Sequence, residues 1–293
     1  MRRPCAPEQL DVARVLAARR GRGLVAVFDV DGTLAPIAPT PGDAHVPPPT
    51  RRALGRLARR RDTLVGIVSG RPIAQVARLV GPGFWIAGLH GAVRRAPGGR
   101  VVRLWSDEVA RTGALLARTL AASLRDVRGV VVEPKGPVVA VHVRAASPAG
   151  RARARNVVAR SRPDRWTLLE GRRVLELRPD GLPGKGDAVQ WIAAARPGAA
   201  ILYAGDDATD EDAFRALRRD DFPVRVGGAV AHRERGRAGP GTAALFTLPD
   251  TTAVGGLVAA LAEMAPAPLP PLPMRGRRRH NRGNRSTSSG GVA

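Results

Sequence analysis

The stretch Leu24-Val25-Ala26-Val27-Phe28-Asp29-Val30-Asp31-Gly32-Thr33-Leu34 decides how the rest of the chain is read. Its opening apolar run reads as a short buried strand, because a strand covered on both faces carries no polar alternation. The run delivers Asp29 and Asp31, two carboxylates that leave a strand on the same face until the chain turns. Gly32 permits that turn. Such a pair is costly at the end of a buried strand unless a cation or hydrogen bonds neutralise it. A divalent metal would serve; a pair of aspartates capping a turn is the bland alternative, since Asp is common in turns.

Three more runs share this texture: TLVGIVSGR from Thr63, FWIAGLHGA from Phe84 and AAILYAGDD from Ala199. Between them, Thr50 to Arg61, Pro72 to Val80 and Lys185 to Ala195 are helix-like, the second opening on a proline suited to a first helical turn. Buried strands alternating with helices predict an α/β fold with a parallel sheet flanked by helices. Ligands then sit at the carboxyl ends of the strands.

Those ends carry the chemistry. Five carboxylates crowd into Asp206-Asp207-Ala208-Thr209-Asp210-Glu211-Asp212, in a chain of net charge +23. Acids opening a helix account for the last three through the helix dipole. They account poorly for Asp206 and Asp207, and a hard cation needs such oxygen ligands. Ser69-Gly70-Arg71 precedes a helix and offers a hydroxyl with free amides, which is either an anion site or an ordinary turn and cap. Lys185 stands between Gly184 and Gly186 and is one of only two lysines among 48 basic residues. An ammonium is a good point charge for a phosphoryl oxygen, although most lysines are solvated filler.

Residues 104–181 read differently. A helix from Asp107 to Arg125 is followed by VRGVVVEPKGPVVAVHVR, two strands around a Lys135-Gly136-Pro137 turn, then a second helical segment and a third strand, RRVLELRP. Glu133 with Lys135, His142 with Arg144, and Glu176 with Arg178 are i, i+2 pairs, each leaving its strand on one face. The segment is predicted to be a small α+β unit inserted into the α/β domain. Its polar face either meets solvent, as antiparallel sheets often do, or lines a site.

Composition bounds the rest. The 293 residues suffice for about two domains on the usual prior. Cys5 is the single cysteine and no Cys/His spacing resembles a zinc site, so a reducing, cytoplasmic setting is expected. No window approaches 18 apolar residues and the N-terminus lacks a signal peptide's apolar region, so no membrane role is expected. The arginine excess points to polyanions, but with 3% aromatics and no recognisable nucleic-acid motif, no specific nucleic-acid partner is expected. Six arginines lie in the last 19 residues, and from about residue 265 the Pro-, Gly- and Arg-rich text predicts a disordered tail.

Taken in order, DxDGT at Asp29, SGR at Ser69, Lys185 and GDDxxD at Gly205 resemble the haloacid dehalogenase (HAD) superfamily of phosphotransferases. Further stretches, Ala87-Gly88-Leu89-His90-Gly91-Ala92, Val132-Glu133-Pro134-Lys135-Gly136 and Val174-Leu175-Glu176-Leu177-Arg178-Pro179, are similar to the trehalose 6-phosphate phosphatase family within it, over roughly residues 23–260. Val30 and Val143 depart from that pattern, where aromatics are common, and Val143 is expected to line the insertion. The resemblance implies a HAD-like Rossmannoid core over residues 20–103 and 182–264, an inserted α+β cap over 104–181 and a tail over 265–293. It implies Asp29 as nucleophile and Asp31 as general acid and base. Mg2+ would be held by Asp29, Asp31 (through its backbone carbonyl) and Asp206. Ser69 and Lys185 would hold the phosphoryl group, with Asp207 and Asp210 behind the metal and Lys185. Arg71, His90, Gly91, Glu133, Lys135, Arg144 and Glu176 would bind the substrate, trehalose 6-phosphate. Functional coupling to a trehalose 6-phosphate synthase is the partner it implies. Competing expectations are a HAD phosphatase for another sugar phosphate or a phosphorylated glycosyl-glycerate, a phosphomutase, and a non-catalytic basic RNA-binding or scaffold protein.

Overall fold

The computed structural model describes residues 8–19, 22–171, 173–227 and 241–263. The elements run β1 (Glu8–Gln9), α1 (Val12–Arg19), β2 (Leu24–Phe28), α2 (Pro48–Ala58), β3 (Thr63–Val68), α3 (Ile73–Val80), β4 (Trp85–Gly88), β5 (Val93–Arg95), β6 (Val102–Arg103), α4 (Asp107–Ser123), β7 (Val131–Lys135), β8 (Val138–His142), α5 (Pro148–Arg160), β9 (Trp166–Gly171), β10 (Val174–Pro179), α6 (Lys185–Ala193), β11 (Ala200–Gly205), α7 (Asp210–Ala216), β12 (Phe222–Val226), β13 (Phe246–Leu248) and α8 (Thr251–Glu263). The expected disordered tail, residues 265–293, lies outside the described residues.

Nine strands form one sheet in the order β1-β13-β12-β11-β2-β3-β4-β5-β6, parallel from β1 to β4 and antiparallel at β5 and β6. β2 lies between β11 and β3, with Phe28 opposite Ala204 on one side and Ile67 on the other. The chain leaves β2 toward one side and returns to the other much later, which opens a crevice at its carboxyl end. Side chains of β2 alternate between two apolar layers. Leu24, Ala26 and Phe28 join Leu54 and Leu57 of α2 and Val254 and Leu257 of α8, while Val25 and Val27 join Ala188, Val189 and Ile192 of α6 and Phe214 of α7. Helices on both faces explain why the strand has no polar position.

A second, antiparallel sheet has the order β7-β8-β10-β9. One face packs Val139, Val141, Leu175 and Leu177 against Leu116 and Leu120 of α4 and Ala154 and Val158 of α5. Both helices start on serine caps: Ser106 accepts from the Val109 amide at 3.4 Å, and Ser147 accepts from the Gly150 amide at 3.1 Å. On the other face, Glu133 and Glu176 flank Ala140 across the ladder. This face turns to the large sheet rather than to solvent, since Glu176 is 8% exposed.

Three expectations are corrected. The inserted sheet has four strands: Trp166–Gly171, with two adjacent leucines breaking its alternation, forms β9 beside β10. Arg144 does not share a strand face with His142. β8 ends at His142, the chain turns through Val143 and Ala146, and Arg144 lies beyond the ladder. Val143 packs inside the apolar cluster of this unit instead of lining the polar face.

Candidate active site

Asp29 leaves the end of β2 buried, its amide donating to the Ala204 carbonyl of β11 at 2.9 Å. Gly32 follows at φ +82°, and a side chain there would collide with the Asp206 carboxylate. The glycine therefore lets the Asp31 turn close directly onto the loop after β11. Lys185 is the first residue of α6, 3% exposed, with its ammonium 3.1 Å from Asp29 Oδ1 and 2.7 Å from Asp210 Oδ1. Its flanking glycines have a packing reason: α7 comes so close that a side chain on Gly184 would strike Asp212, whose Oδ2 accepts the Gly186 amide at 2.8 Å.

Asp210 is bound by three protein donors. Its Oδ1 accepts from Lys185 and from the Tyr203 hydroxyl at 2.5 Å, and its Oδ2 accepts from the Asp207 amide at 2.8 Å. Asp207 thus acts through its backbone, while its own carboxylate accepts the Ala208 amide at 2.6 Å. Oxygens of Asp29, Asp206 and Asp210 lie within 4.8 Å of one another. With Asp210 occupied, Asp29 and Asp206 are the pair in need of a cation, and Thr33 Oγ1 approaches Asp206 only at 3.5 Å. Burial, followed by Asp210 and Asp207, pushes the Asp206 carboxyl up to about 7. Burial also raises Asp29 well above the usual carboxylate range, with Lys185 opposing. Burial works against the Lys185 charge, but Asp210 and Asp29 outweigh it and hold the ammonium well above its ordinary value. An all-oxygen pair that resists ionisation without a counter-charge fits a hard divalent cation.

Arg71 forms a two-pronged pair with Asp31, Nε to Oδ2 and Nη2 to Oδ1, each at 2.6 Å. The Arg71 amide donates to Ser69 Oγ at 3.2 Å, so the Ser69 hydroxyl is fixed at the end of β3. His90 sits over this turn, its amide donating to the Ser69 carbonyl at 2.9 Å. His90 Nε2 meets Glu176 Oε2 at 3.0 Å, and Glu176 Oε1 accepts from Lys135 Nζ at 3.0 Å. Glu133 continues the chain, 3.7 Å from Lys135 and 2.8 Å from His142 Nε2. Despite burial, His90 and Lys135 hold Glu176 far below the usual carboxylate range; Glu133 is lowered chiefly by its bond to His142. Gly91, at φ +112°, packs on the Gly184 carbonyl. Arg144 stands apart from the Glu133, Lys135 and Glu176 cluster and donates to the backbone carbonyls of Ala38 and Pro39.

Tyr203 and Arg225 were not anticipated. Tyr203 is the chain's only tyrosine, and a buried phenol needs a partner, which would have flagged it. Arg225 was hidden by the arginine excess.

A profile of the family described as trehalose-phosphatase matches residues 27–247. The chain belongs to the trehalose-phosphatase family. A probable trehalose-phosphate phosphatase of Sinorhizobium fredii is 36% identical over 243 residues, 80% of this chain and 86% of that protein. A trehalose-phosphate phosphatase of Mycobacterium avium is 40% identical over 242 residues, 78% of this chain and 59% of that protein. The C-terminal domain of the Candida albicans trehalose-6-phosphate phosphatase aligns at TM-score 0.70 and 21% identity, covering 87% of this chain and 98% of that one, and speaks for the fold. The Aspergillus fumigatus trehalose-6-phosphate phosphatase aligns at TM-score 0.57 and 26% identity, over 88% and 99%. The large sheet with its second α+β unit is thus the HAD-like core and cap of trehalose-phosphatases. No helix among the described residues is long and apolar enough to cross a membrane.

Proposed function

We propose that this chain hydrolyses trehalose 6-phosphate to trehalose and inorganic phosphate through an aspartyl phosphate on Asp29, with Mg2+ as cofactor. The observation that carries this reading is the Asp29 carboxylate, buried 3.1 Å from Lys185, beneath a cap face whose Glu176 reaches His90 of the core. Asp29 and Asp206, with the Asp31 carbonyl, would hold the cation, which when bound offsets negative charge on the phosphoryl oxygens and the two carboxylates.

Asp29 attacks phosphorus as the bond to the sugar oxygen breaks, and Asp31 donates a proton to that leaving oxygen. Asp31 then takes a proton from water, whose oxygen attacks phosphorus and frees the Asp29 carboxylate. Lys185 and Ser69 hold phosphoryl oxygens in place while charge spreads over them. Arg71, which here grips both Asp31 oxygens, would turn to the substrate and free one of them to carry the proton. Asp210, clamped by Tyr203, keeps Lys185 directed at Asp29. Glu133, Lys135 and Glu176 would exchange their mutual contacts for sugar hydroxyls, closing the cap and excluding water. Arg144 would support the cap against the 38–39 loop. A cytoplasmic setting, with a synthase supplying the substrate, completes the proposal.

The deciding experiment is phosphate release from a panel of sugar phosphates, with EDTA and Asp29→Asn as controls. Preferential release from trehalose 6-phosphate, abolished by both, is expected. Release from another sugar phosphate alone would overturn the substrate, and isomerisation without phosphate would overturn hydrolysis.

A further inference from the structure

Arg225 is a buried arginine that no step of the proposed reaction uses. It stands on β12 opposite Gly205 of β11 and is 5% exposed. Its guanidinium is shared between two acceptors: Nη2 donates to the backbone carbonyl of Asp206 at 3.2 Å, and Nη1 donates to Glu211 Oε1 at 3.2 Å. Glu211 is held by two further donors: Thr242 Oγ1 donates to the same Oε1 at 2.6 Å, and the Ala243 amide donates to Oε2 at 2.8 Å. Its side chain leaves β12 on the face opposite Phe222, Val224 and Val226; burying a charge is costly, and a buried ion pair adds little net stability. The rigid fork of arginine, however, can satisfy a carbonyl and a carboxylate at once, which an ammonium does poorly.

Among the described residues the Asp206 side chain has the 3.5 Å approach of Thr33 and a hydrogen bond with its own backbone, so its direction follows its peptide. We infer that Arg225, anchored by Glu211, is a positioning residue that fixes the Asp206 peptide so that its carboxylate faces Asp29, and thereby sets the affinity for the divalent cation. This rests on the reading that Asp29 and Asp206 hold that cation. Partners one step removed from a metal ligand typically change affinity by about 10- to 100-fold when altered.

The test is direct binding of Mn2+, followed by electron paramagnetic resonance, and of Mg2+, followed by calorimetry, to the purified full-length chain without substrate. Arg225→Lys keeps a charge opposite Glu211 but loses the fork. It is expected to weaken both ions by about 10- to 100-fold, while at saturating Mg2+ its kcat returns to within about threefold of wild type and its KM is unchanged. Glu211→Gln, which keeps the acceptor oxygen, is expected to weaken binding less. Unchanged metal affinity in Arg225→Lys would overturn the proposal alone, as would a loss of turnover that saturating metal fails to restore. A larger effect of Glu211→Gln would move the role to Glu211 and overturn it too. A wild-type chain that binds neither ion would remove the Asp29 and Asp206 reading, and this inference with it.

Discussion

Two clusters of charge face each other in this molecule and are neutralised in opposite ways. In the core, Asp29, Asp206 and Asp210 share one ammonium, Lys185, and burial, reinforced by the surplus of carboxylates, raises Asp29 and Asp206. On the cap, Glu133 and Glu176 meet Lys135, His142 and His90, and both carboxyls are lowered. On the proposed function, a site that takes up a cation is left short of positive charge, whereas a face that exchanges partners with sugar hydroxyls can satisfy itself while it waits.

Substitutions should separate the two clusters. Asp29→Asn is expected to abolish phosphate release, by about 10⁴-fold or more, as loss of a nucleophile does; because it also relieves carboxylate crowding, the metal-free Tm should not fall. Lys185→Met should lower turnover by about 10³-fold and, by stranding a buried carboxylate, cost about 3 to 5 kcal/mol in denaturant unfolding. Glu176→Gln on the cap should raise KM for trehalose 6-phosphate by about 10- to 100-fold, the worth of a charge-assisted hydrogen bond, yet leave kcat/KM for p-nitrophenyl phosphate within about twofold. An equal loss on both substrates would erase the division between chemistry and sugar binding.

The pH response sharpens the same contrast. Asp206 and Asp29 are raised in the folded chain, so the unfolded chain binds fewer protons between the ordinary carboxylate range and about pH 7. Their contribution to metal-free stability therefore falls as pH rises through that window. Glu176 and Glu133 are lowered, so their contribution is present above the ordinary carboxylate range and is lost as pH falls below it. Thermal unfolding from pH 5.5 to 8 should show a growing stabilisation by Mg2+ of a few degrees. A stabilisation that shrinks with pH would contradict the core assignment. The smallest effect belongs to the tail: removing residues 265–293 should change kcat and KM by less than about twofold, since no motif there resembles a site.

The core was legible because its strands are covered on both faces and their ends carry polar residues beside glycines. DxDGT, SGR and GDDxxD each fall where a strand meets a turn, so the apolar run located the carboxylates and hydroxyl in space. The cap was less so. Alternation placed Glu133, Lys135 and Glu176 on one face correctly, but periodicity says nothing of where a strand stops, and Arg144 left the ladder two residues after its end. Nor does it say which face meets solvent; that depends on docking against the core. Glu211 and Asp212 looked like acids favouring a helix start, yet they reach Arg225, Thr242 and the Gly186 amide, contacts fixed only by the crossing of distant strands and helices.

His90 carries one more consequence. A bond from His90 to the Glu176 carboxylate places a hydrogen on Nε2, while Nδ1 is buried with no hydrogen-bond partner among the described residues. That hydrogen gives the cap a built-in reporter: an Nε2 proton shielded from solvent exchange, whose resonance persists while cap and core touch and broadens away when they part. A single imidazole signal would then time each opening of the enzyme.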